Sequence, residues 1–292
     1  MLAYENGQLD YVRLSGDLIS KYENTPGFQK IEEGYLWYLS PNINPKDKSL
    51  DCGLGNINLR KAIALSYDKE AICNQILKDG SVPADFAIPK KLAIGPDGKD
   101  FRDTTGTYLK TDKAKAKEYW ETAKKELGVD SVTIELLFDD SDSTPLLAQF
   151  LQSEIEGNLP GVKLTLKAQP KKSRTDLMQK RNYQLGLTRW GPDYADPMTY
   201  LNMWETGNTY NYGEWSNPEY DSLLQKANVG EFSTDPAKRW AALQKAEALV
   251  MDNAVILPVY QKGSAVMVRP GVTGLYFFPV GVGTLYTNVD KQ

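Results

Sequence analysis

The pattern of apolar and polar positions divides the middle of the chain into alternating strands and helices. Residues 132–140 (VTIELLFDD), 162–170 (VKLTLKAQP) and 183–190 (YQLGLTRW) have the short, β-rich, alternating pattern of strands. Residues 141–157 and 173–181, which lie between them, have the apolar spacing of helices. An order of strand, helix, strand, helix, strand predicts an α/β fold.

Helices with capping residues are predicted on both sides of this unit. Asn58 and Asp68 precede two helical patterns that run to about residue 80, and residues 111–128 form a well-marked amphipathic helix. Residues 216–228 and 234–253 each carry Asn or Asp directly before Pro, an order typical of a helix N-terminus.

The remaining patterns predict strands and loops. Residues 33–42 (EGYLWYLSPN) predict a short aromatic strand that stops at Pro41. Residues 254–272 predict two strands joined by a Lys-Gly turn. Residues 81–111 are rich in Pro, Gly and Asp, which predicts a long surface loop.

Composition removes several classes of function. The 292 residues carry a net charge of -4, so there is no basic surface of the kind that neutralises nucleic-acid phosphates. Apolar runs are too short to span a bilayer. No signal peptide is apparent after Met1, which leaves open a cytosolic protein or a trimmed chain.

The chain contains no histidine. This excludes His-dependent triads, His general bases and His-ligated metal sites, and it favours a binding protein over an enzyme. Dinucleotide and nucleotide-binding glycine motifs are also absent, so no cofactor or metal is predicted. The two cysteines, Cys52 and Cys73, are either two buried thiols or one disulfide.

Residues 188–204 (TRWGPDYADPMTYLNMW) concentrate aromatic, acidic and proline residues after a predicted strand. Open α/β sheets bind ligands at such strand ends, although a packed corner of the core would have a similar composition. Asp193 among these aromatic side chains suits a cationic ligand group. The alternative is a carbohydrate-binding protein or glycosidase that uses the Trp/Tyr cluster and nearby acids, such as Asp193 with Asp196 or Glu205 with Glu214.

The same segment carries a resemblance to a known family. Its W-x-x-DY-x-DP-x-x-x-L motif consists of Trp190, Asp193, Tyr194, Asp196, Pro197 and Leu201. This motif, together with residues 56–72 (NINLRKAIALSYDKEAI), resembles the oligopeptide-binding proteins of extracellular solute-binding protein family 5. These are the extracytoplasmic substrate receptors of peptide ABC importers, and the AmiA/AliA-like lipoproteins of Gram-positive bacteria are the branch that the chain resembles.

The resemblance implies a type II periplasmic-binding-protein architecture, in which two α/β lobes enclose a cleft. The chain is similar to the C-terminal part of these longer proteins. Residues 35–261 are then one complete lobe, while residues 1–34 and 262–292 are short pieces of the other lobe. The strands around residues 35–42 and 256–263 are expected to be the hinge between the lobes.

The resemblance also implies a function. The expected partners are an oligopeptide ligand and the permease subunits of an ABC transporter, and the protein is expected to be a monomer without enzymatic activity. Its expected location is the extracellular face of the cell membrane or the periplasm. A lipid anchor and signal would lie outside this chain.

In the family, the aspartate of the W-x-x-D motif pairs with the free α-amino group of the peptide, which by position is Asp193. Trp190 and Tyr194 would flank the ligand, and Arg189 would meet a carbonyl or an acidic side chain. The hinge strand adds two further candidates, Tyr35 and Trp37.

The chain departs from the family pattern in two places. Some members have a disulfide-forming Cys directly after the motif Trp, where this chain has Gly191. A Cys52–Cys73 disulfide would therefore not be that bridge, although export favours the disulfide over two free thiols. Basic residues that some members use for the peptide C-terminus have no clear counterpart, so ligand length is open.

Overall fold

A mixed seven-stranded sheet forms the centre of the protein. The computed structural model describes residues 1–141, 143–281 and 283–292. The strands lie in the order β1-β7-β2-β6-β4-β5, with β3 paired to β7. β4 is parallel to both β5 and β6, whereas β2 is antiparallel to β6 and β7. The bounds are β1 Tyr11–Leu14, β2 Phe28–Pro41, β3 Val82–Pro83, β4 Val132–Asp139, β5 Val162–Gln169, β6 Leu185–Trp190 and β7 Leu257–Val268.

Helices cover this sheet and connect its strands. Helix α4 continues directly into a π-helical segment, Ile72–Leu77. Two short strand pairs, β8 with β11 and β9 with β10, lie in the C-terminal segment. The helices are α1 Leu2–Glu5, α2 Asp17–Tyr22, α3 Ile57–Ser66, α4 Lys69–Ala71, α5 Lys113–Leu127, α6 Thr144–Asn158, α7 Lys171–Gln179, α8 Met198–Leu201, α9 Pro218–Asn228 and α10 Pro236–Asp252. The short strands are β8 Val272–Thr273, β9 Tyr276–Phe277, β10 Thr284–Leu285 and β11 Asp290–Lys291.

Most of the predicted helix starts are found at the predicted residues. Asp68, Asn217 and Asp235 each accept a backbone N–H from the first turn of the helix that follows. The prediction for α3 is wrong by two positions, because Asn56 rather than Asn58 accepts the N–H of the first turn. Both asparagines lie in the same polar stretch, so sequence spacing alone did not separate them.

The two halves of the β2–β7 ladder pack into different hydrophobic clusters. The larger cluster fills the space between the sheet and its helices and draws its buried members from residues 36–260. A small cluster consists of Tyr4, Leu14, Ile19, Ala265 and Met267. Between them the ladder is interrupted, because Glu32 pairs with Gly263 but Leu36 pairs with Gln261. This bulge lies at the lobe boundaries proposed from sequence.

The prediction of a turn at Lys262–Gly263 is wrong. Strand β7 runs without interruption through both residues, and β2 is likewise longer than the predicted strand. Gly263 instead allows the backbone of Gly80 to pack closely against β7, because a Cβ atom at position 263 would lie 2.0 Å from the carbonyl oxygen of Gly80. Glycine in a strand interior often marks such a contact rather than a turn.

Residues 81–111 form the predicted surface loop only in part: residues 94 and 96–99 are exposed, but the segment is anchored in the core at several points. Phe86, Ile88 and Phe101 are buried in the main cluster. Glu247, itself fully buried on α10, accepts backbone N–H groups from this segment, including that of Ile88 at 2.9 Å. Arg102 of the same segment forms an ion pair with Glu247. The segment therefore has internal partners that its Pro- and Gly-rich composition did not reveal.

Candidate functional site

The candidate site lies where three parallel strands end. Because β4, β5 and β6 are parallel, their last residues, Asp139, Gln169 and Trp190, share one edge of the sheet. Helix α7 begins immediately after β5, at Lys171, and residues 188–204 leave the sheet at the end of β6. The polar side chains of three elements are thereby brought to one place.

Three side chains on neighbouring strands form a stack across the sheet. Trp37 on β2 is in register with Arg189 on β6 and with Tyr260 on β7. The Arg189 guanidinium lies 4.5 Å from the centroid of the Trp37 ring, and Trp37 stacks on Tyr260 at 5.4 Å with an interplanar angle of 16°. Two of the residues predicted from sequence, Arg189 and Trp37, are therefore in direct contact.

A buried carboxylate fixes the other side of Arg189. Asp139 Oδ2 accepts hydrogen bonds from Arg189 Nη1 at 2.8 Å and from Arg174 Nη2 at 3.2 Å, and the Ser141 hydroxyl donates to Oδ1. Burial raises the pKa of Asp139, but the Ser141 hydrogen bond and the charges of Arg189 and Arg174 outweigh it, so the pKa is lowered overall. One carboxylate thus faces two guanidinium groups.

A cavity of about 320 Å³ opens beside this ion-pair network. It brings together three of the residues predicted from sequence: Tyr35, Arg189 and Trp190. The other residues that line it are Tyr38, Lys171, Arg174, Thr175, Gln179, Thr188, Met203, Tyr210 and Tyr212. Its walls are aromatic and cationic, and among the described residues no carboxylate lines it.

Trp190 is held by hydrogen bonds at both its side chain and its backbone. Its indole Nε1 donates to the carbonyl oxygen of Thr199 at 3.0 Å, and its ring packs edge-on against Tyr210 with centroids 4.8 Å apart. The Tyr200 hydroxyl lies 3.1 Å from the Trp190 carbonyl oxygen and also contacts that of Gly34. Trp190 therefore presents an aromatic surface to the cavity while its polar atoms are engaged internally.

The two aspartates of the motif have different environments. Asp196 forms a bidentate ion pair with Arg239, at 2.7 and 3.0 Å, and accepts the Met198 N–H at 2.9 Å. Asp193 is exposed, and within the described part of the chain no side chain donates to its carboxylate. Its backbone N–H is held by Thr199 Oγ1 at 2.9 Å. Asp196 is thus structural, whereas the Asp193 carboxylate remains available to a ligand.

Tyr194 lies on the same exposed surface as Asp193 rather than in the cavity. Its side chain is 45% exposed. Partial burial raises the pKa of Tyr194, and the neighbouring Asp196 and Asp193 carboxylates raise it further. The predicted residues therefore fall into two groups. Tyr35, Arg189 and Trp190 line the cavity, with Trp37 stacked on Arg189, whereas Asp193 and Tyr194 are exposed.

In each acid pair considered for carbohydrate chemistry, at least one carboxylate is already bound to an arginine side chain. Asp196 is bound by Arg239, and Glu214 accepts from Arg181 Nε at 2.6 Å. Each proposed pair thus contains one carboxylate that is already neutralised by a guanidinium group. The geometry gives no support to a glycosidase, which needs one carboxylic acid and one carboxylate acting together.

In the structure Cys52 and Cys73 are free thiols rather than the possible disulfide. Cys52 lines a cavity with Leu127 and Val132, while Cys73 lines a different cavity near Gly80. Burial raises the pKa of Cys52 to about 11. Because the two thiols pack against separate elements, spacing in sequence did not indicate proximity in space.

Sequence analysis missed the residues that complete the cavity. Lys171, Arg174 and Gln179 lie on one face of α7 at helical spacing, a signal that was present but could not be assigned to the site without the sheet. Asp139 ends a strand, and nothing in the sequence indicates its pairing with Arg174, which is thirty-five positions away. Tyr210 and Tyr212 lie a few positions after the aromatic-rich residues 188–204.

Comparison with known proteins identifies the class to which this fold and site belong. Residues 1–212 match the family described as bacterial extracellular solute-binding proteins, family 5 Middle. The chain belongs to this family. A dipeptide-binding protein of Lactococcus lactis subsp. cremoris is 31% identical over 284 residues, which cover 96% of this chain and 52% of that protein.

Solved structures agree with this assignment. The substrate-binding domain of an oligopeptide ABC transporter from Bacillus anthracis matches with a TM-score of 0.85 and 38% identity, covering 99% of this chain and 56% of that one. Peptide-bound OppA from Listeria monocytogenes matches with a TM-score of 0.82 and 30% identity, covering 99% and 55%. The type II binding-protein fold predicted from sequence is confirmed, and the chain fits the C-terminal part of such proteins.

The chain spans about half the length of the relatives it matches. Its relatives are named as binding proteins, not as enzymes, and its family is described as extracellular. No helix in the described ranges is long and apolar enough to cross a membrane. Nor do these ranges contain a group of three or more acidic or thiol side chains able to hold a metal ion.

Proposed function

We propose that this chain is the peptide-binding part of an extracytoplasmic receptor, which captures oligopeptides for import by an ABC transporter. The observation that carries the proposal is the exposed Asp193 carboxylate, three positions after the cavity-lining Trp190, in a family 5 solute-binding protein. Among its structural neighbours, one is described as bound to peptide. Aromatic walls with a few polar groups are typical of such ligand sites.

In this proposal residues 35–261 form one lobe, and residues 1–34 and 262–292 belong to the other. The division is supported by the two separate hydrophobic clusters and by the bulge between Glu32 and Leu36. Strands β2 and β7 cross between the lobes. Closure of the lobes over a ligand would take place by bending of these strands near the bulge.

Each proposed site residue has a physical role. Asp193 pairs with the α-amino group of the peptide, because an exposed carboxylate without a protein partner attracts an ammonium group. Trp190, Tyr194 and Tyr35 provide aromatic surface for the ligand. Trp37 acts indirectly, since it orients Arg189, which donates to a carbonyl or carboxylate of the ligand.

The proposal extends to partners and location. The receptor works as a monomer that delivers peptide to the permease subunits of its importer. It acts on the extracellular face of the cell membrane as a lipoprotein, or in the periplasm. Support comes from the relatives, which include oligopeptide-binding proteins of Bacillus subtilis and Escherichia coli.

Peptide titration by calorimetry tests this function. The chain would be titrated alone and as a chimera in which the Bacillus anthracis relative supplies the unmatched N-terminal half, because lobe closure needs both lobes. We expect a mixed peptide library to bind the chimera, and N-acetylation of the same peptides to weaken binding by about tenfold or more. A chimera that folds but binds no peptide would overturn the proposal.

Acetylation separates the site assignment from the function. If acetylated and free peptides bind equally, peptide binding stands but Asp193 does not recognise the amino terminus. A set of neutral oligosaccharides serves as the control ligand. Saccharide binding without peptide binding would instead favour the carbohydrate alternative.

A further inference from the structure

We infer that Gln261 is a positioning residue of the receptor, because its buried amide holds the bulge of β2 that places Tyr35 at the cavity. The inference rests on the proposed function, in which Tyr35 contacts the peptide, and it adds a residue that no role was given above. Gln261 is not among the described residues that line the cavity. It acts on the ligand through the backbone of Glu33 and the side chain of Tyr35.

Residues 33–35 of β2 bulge out of the ladder with β7. The register changes there, so that these three residues lie opposite the single residue Lys262. Extra residues in one strand redirect its side chains, and bulges of this kind are frequent next to functional sites. The last residue of the bulge, Tyr35, lines the cavity. The conformation of the bulge therefore decides where the Tyr35 ring lies.

The side chain of Gln261 holds the bulge from inside the protein. Gln261 is fully buried, and its Nε2 donates to the carbonyl oxygen of Glu33 at 3.0 Å. The same amide bonds to Lys90 in both directions: Nε2 donates to the Lys90 carbonyl oxygen at 3.1 Å, and Oε1 accepts the Lys90 N–H at 2.9 Å. A buried amide with three hydrogen bonds is fixed in orientation. Gln261 thus forms a rigid bridge between the bulge and residues 81–111.

The next carbonyl group of the bulge is held by the motif segment. The hydroxyl group of Tyr200, which is also fully buried, contacts the carbonyl oxygen of Gly34. Gln261 and Tyr200 therefore engage two consecutive carbonyl groups directly before Tyr35. Because these backbone groups are paired with buried side chains, the backbone that carries the Tyr35 ring has little freedom to move.

Strand β7 is held firmly at the same level, which leaves the bulge of β2 to take up bending between the lobes. Asp79 forms an ion pair with Lys262, and Ser81 Oγ accepts the Gly263 N–H at 3.1 Å. These contacts tie β7 to the segment that precedes and includes β3. Bending is therefore expected to fall on residues 33–35, so that the Gln261 bridge links the lobe angle to the position of Tyr35.

Peptide titration of the chimera with Gln261→Met tests the inference. Methionine keeps the length of the side chain but removes the three hydrogen bonds of the amide. We expect the affinity for a neutral peptide to fall about fivefold, as when the aromatic contact of Tyr35 is lost. In a Tyr35→Ala background, Gln261→Met should cause no further loss. An equal loss in both backgrounds, or no loss in either, would overturn the inference.

Gln152→Met is the matched control. Gln152 on α6 donates from Nε2 to the carbonyl oxygen of Leu164 on β5 at 2.7 Å, so the same substitution removes an amide-to-backbone bond away from the bulge. We expect it to lower the midpoint of thermal unfolding but to leave peptide affinity unchanged. If Gln152→Met weakens binding as much as Gln261→Met, affinity follows stability and the positioning role is wrong.

Hydrogen exchange tests the bulge without any ligand. Gln261→Met should raise the exchange rate of the amide protons of residues 33–36 by about tenfold, because local opening then breaks fewer hydrogen bonds. Gln152→Met should leave these rates unchanged. If Gln261→Met does not fold, Gln261→Asn replaces it, since its amide is one methylene group too short to reach Glu33 and Lys90 together. Unchanged exchange in a folded Gln261 variant would contradict the inference.

The two readouts separate the inference from the proposed function. If peptides bind the Gln261→Met chimera as tightly as the unsubstituted chimera, the receptor function stands and the positioning role is wrong. If the folded chimera binds no peptide, the proposed function and the effect on the ligand are both overturned, whereas hydrogen exchange still decides whether Gln261 holds the bulge.

Discussion

The ring of Tyr35 lies directly against Gly191: a Cβ atom at Gly191 would be 2.3 Å from Tyr35 Cε1. This contact joins β2, one of the two strands of the proposed hinge, to the motif segment that follows β6. It also gives a physical reason for the glycine, because any side chain at position 191 would displace the Tyr35 ring from its place at the cavity.

Gly191→Ala should therefore weaken peptide binding without unfolding the protein. Tyr35 is 47% exposed, so its ring can rotate outward at little cost in stability. Loss of one aromatic contact to the ligand is worth about 1 kcal/mol, or roughly fivefold in affinity. Calorimetry with a neutral peptide measures the affinity, and thermal unfolding measures the stability.

A double substitution provides the control for this contact. In a Tyr35→Ala background the added methyl group at position 191 meets no ring, so Gly191→Ala should then have no further effect on affinity. An equal loss in both backgrounds would show that Gly191 acts on binding by some route other than Tyr35.

Removal of the charge should affect peptide affinity at Asp193 but protein stability at Asp196. Asp193→Asn removes an exposed carboxylate without a protein partner, so stability should change by less than about 0.5 kcal/mol while peptide affinity falls about tenfold or more. Asp196→Asn breaks the bidentate pair with Arg239 and should instead lower stability by about 1 kcal/mol. Loss of affinity in Asp196→Asn alone would reverse the assignment.

An element of this fold can be predicted from the sequence when the residues that determine it are close together in the chain. Strands β4, β5 and β6 and the caps at Asp68, Asn217 and Asp235 follow from residues within a few positions, and they are found where predicted. The length of β2 cannot be predicted in this way. Its first half is rich in polar residues and is a strand because it pairs with β7, more than two hundred residues later.

The site was predictable in part for the same reason. Tyr35, Arg189 and Trp190 lie on strands and motifs with strong local patterns, and the structure places all of them at one cavity. Arg174 and Asp139 could not be found, since each is an ordinary charged residue until the sheet brings the two within 3.2 Å. Burial of a charge is a property of the fold, and single-sequence patterns do not report it.

Gly263→Ala should destabilise the protein. Such a loss of stability is expected if Gly263 makes a close backbone contact within β7, and not if it lies in an exposed turn. The added methyl group would lie 2.0 Å from the Gly80 carbonyl oxygen, and because that atom is backbone it cannot move aside cheaply. Overpacking of this kind costs about 1–3 kcal/mol. Urea unfolding measures the loss, and Gly157→Ala is the control, because a Cβ there meets nothing within 4 Å. A stability equal to that of the control would show that the segment around Gly80 can move away from β7.

Asp139→Asn should destabilise the protein at neutral pH and less so in acid. The substitution leaves Arg174 and Arg189 without their shared carboxylate, at a cost of about 3 kcal/mol. The folded protein lowers the pKa of Asp139, so the stability from its ionised form is present above about pH 4 and is lost as the pH falls further. The gap in unfolding free energy between wild type and variant should therefore narrow from pH 7 to pH 3. Asp140→Asn, at the exposed neighbouring position, is the control. If the difference in unfolding free energy does not change with pH, the ionised Asp139 carboxylate is not its source.

Two free thiols should be detectable by alkylation under non-reducing conditions. In the folded protein Cys73 is buried, and burial raises the pKa of Cys52 to about 11, so iodoacetamide at pH 7.5 should react slowly with both. After unfolding in urea without reductant, mass spectrometry should show two added groups, the same number as after reduction. A mass unchanged by alkylation until reductant is added would instead demonstrate a Cys52–Cys73 disulfide. That result would require the segments around the two residues to approach each other, because the thiols line separate cavities.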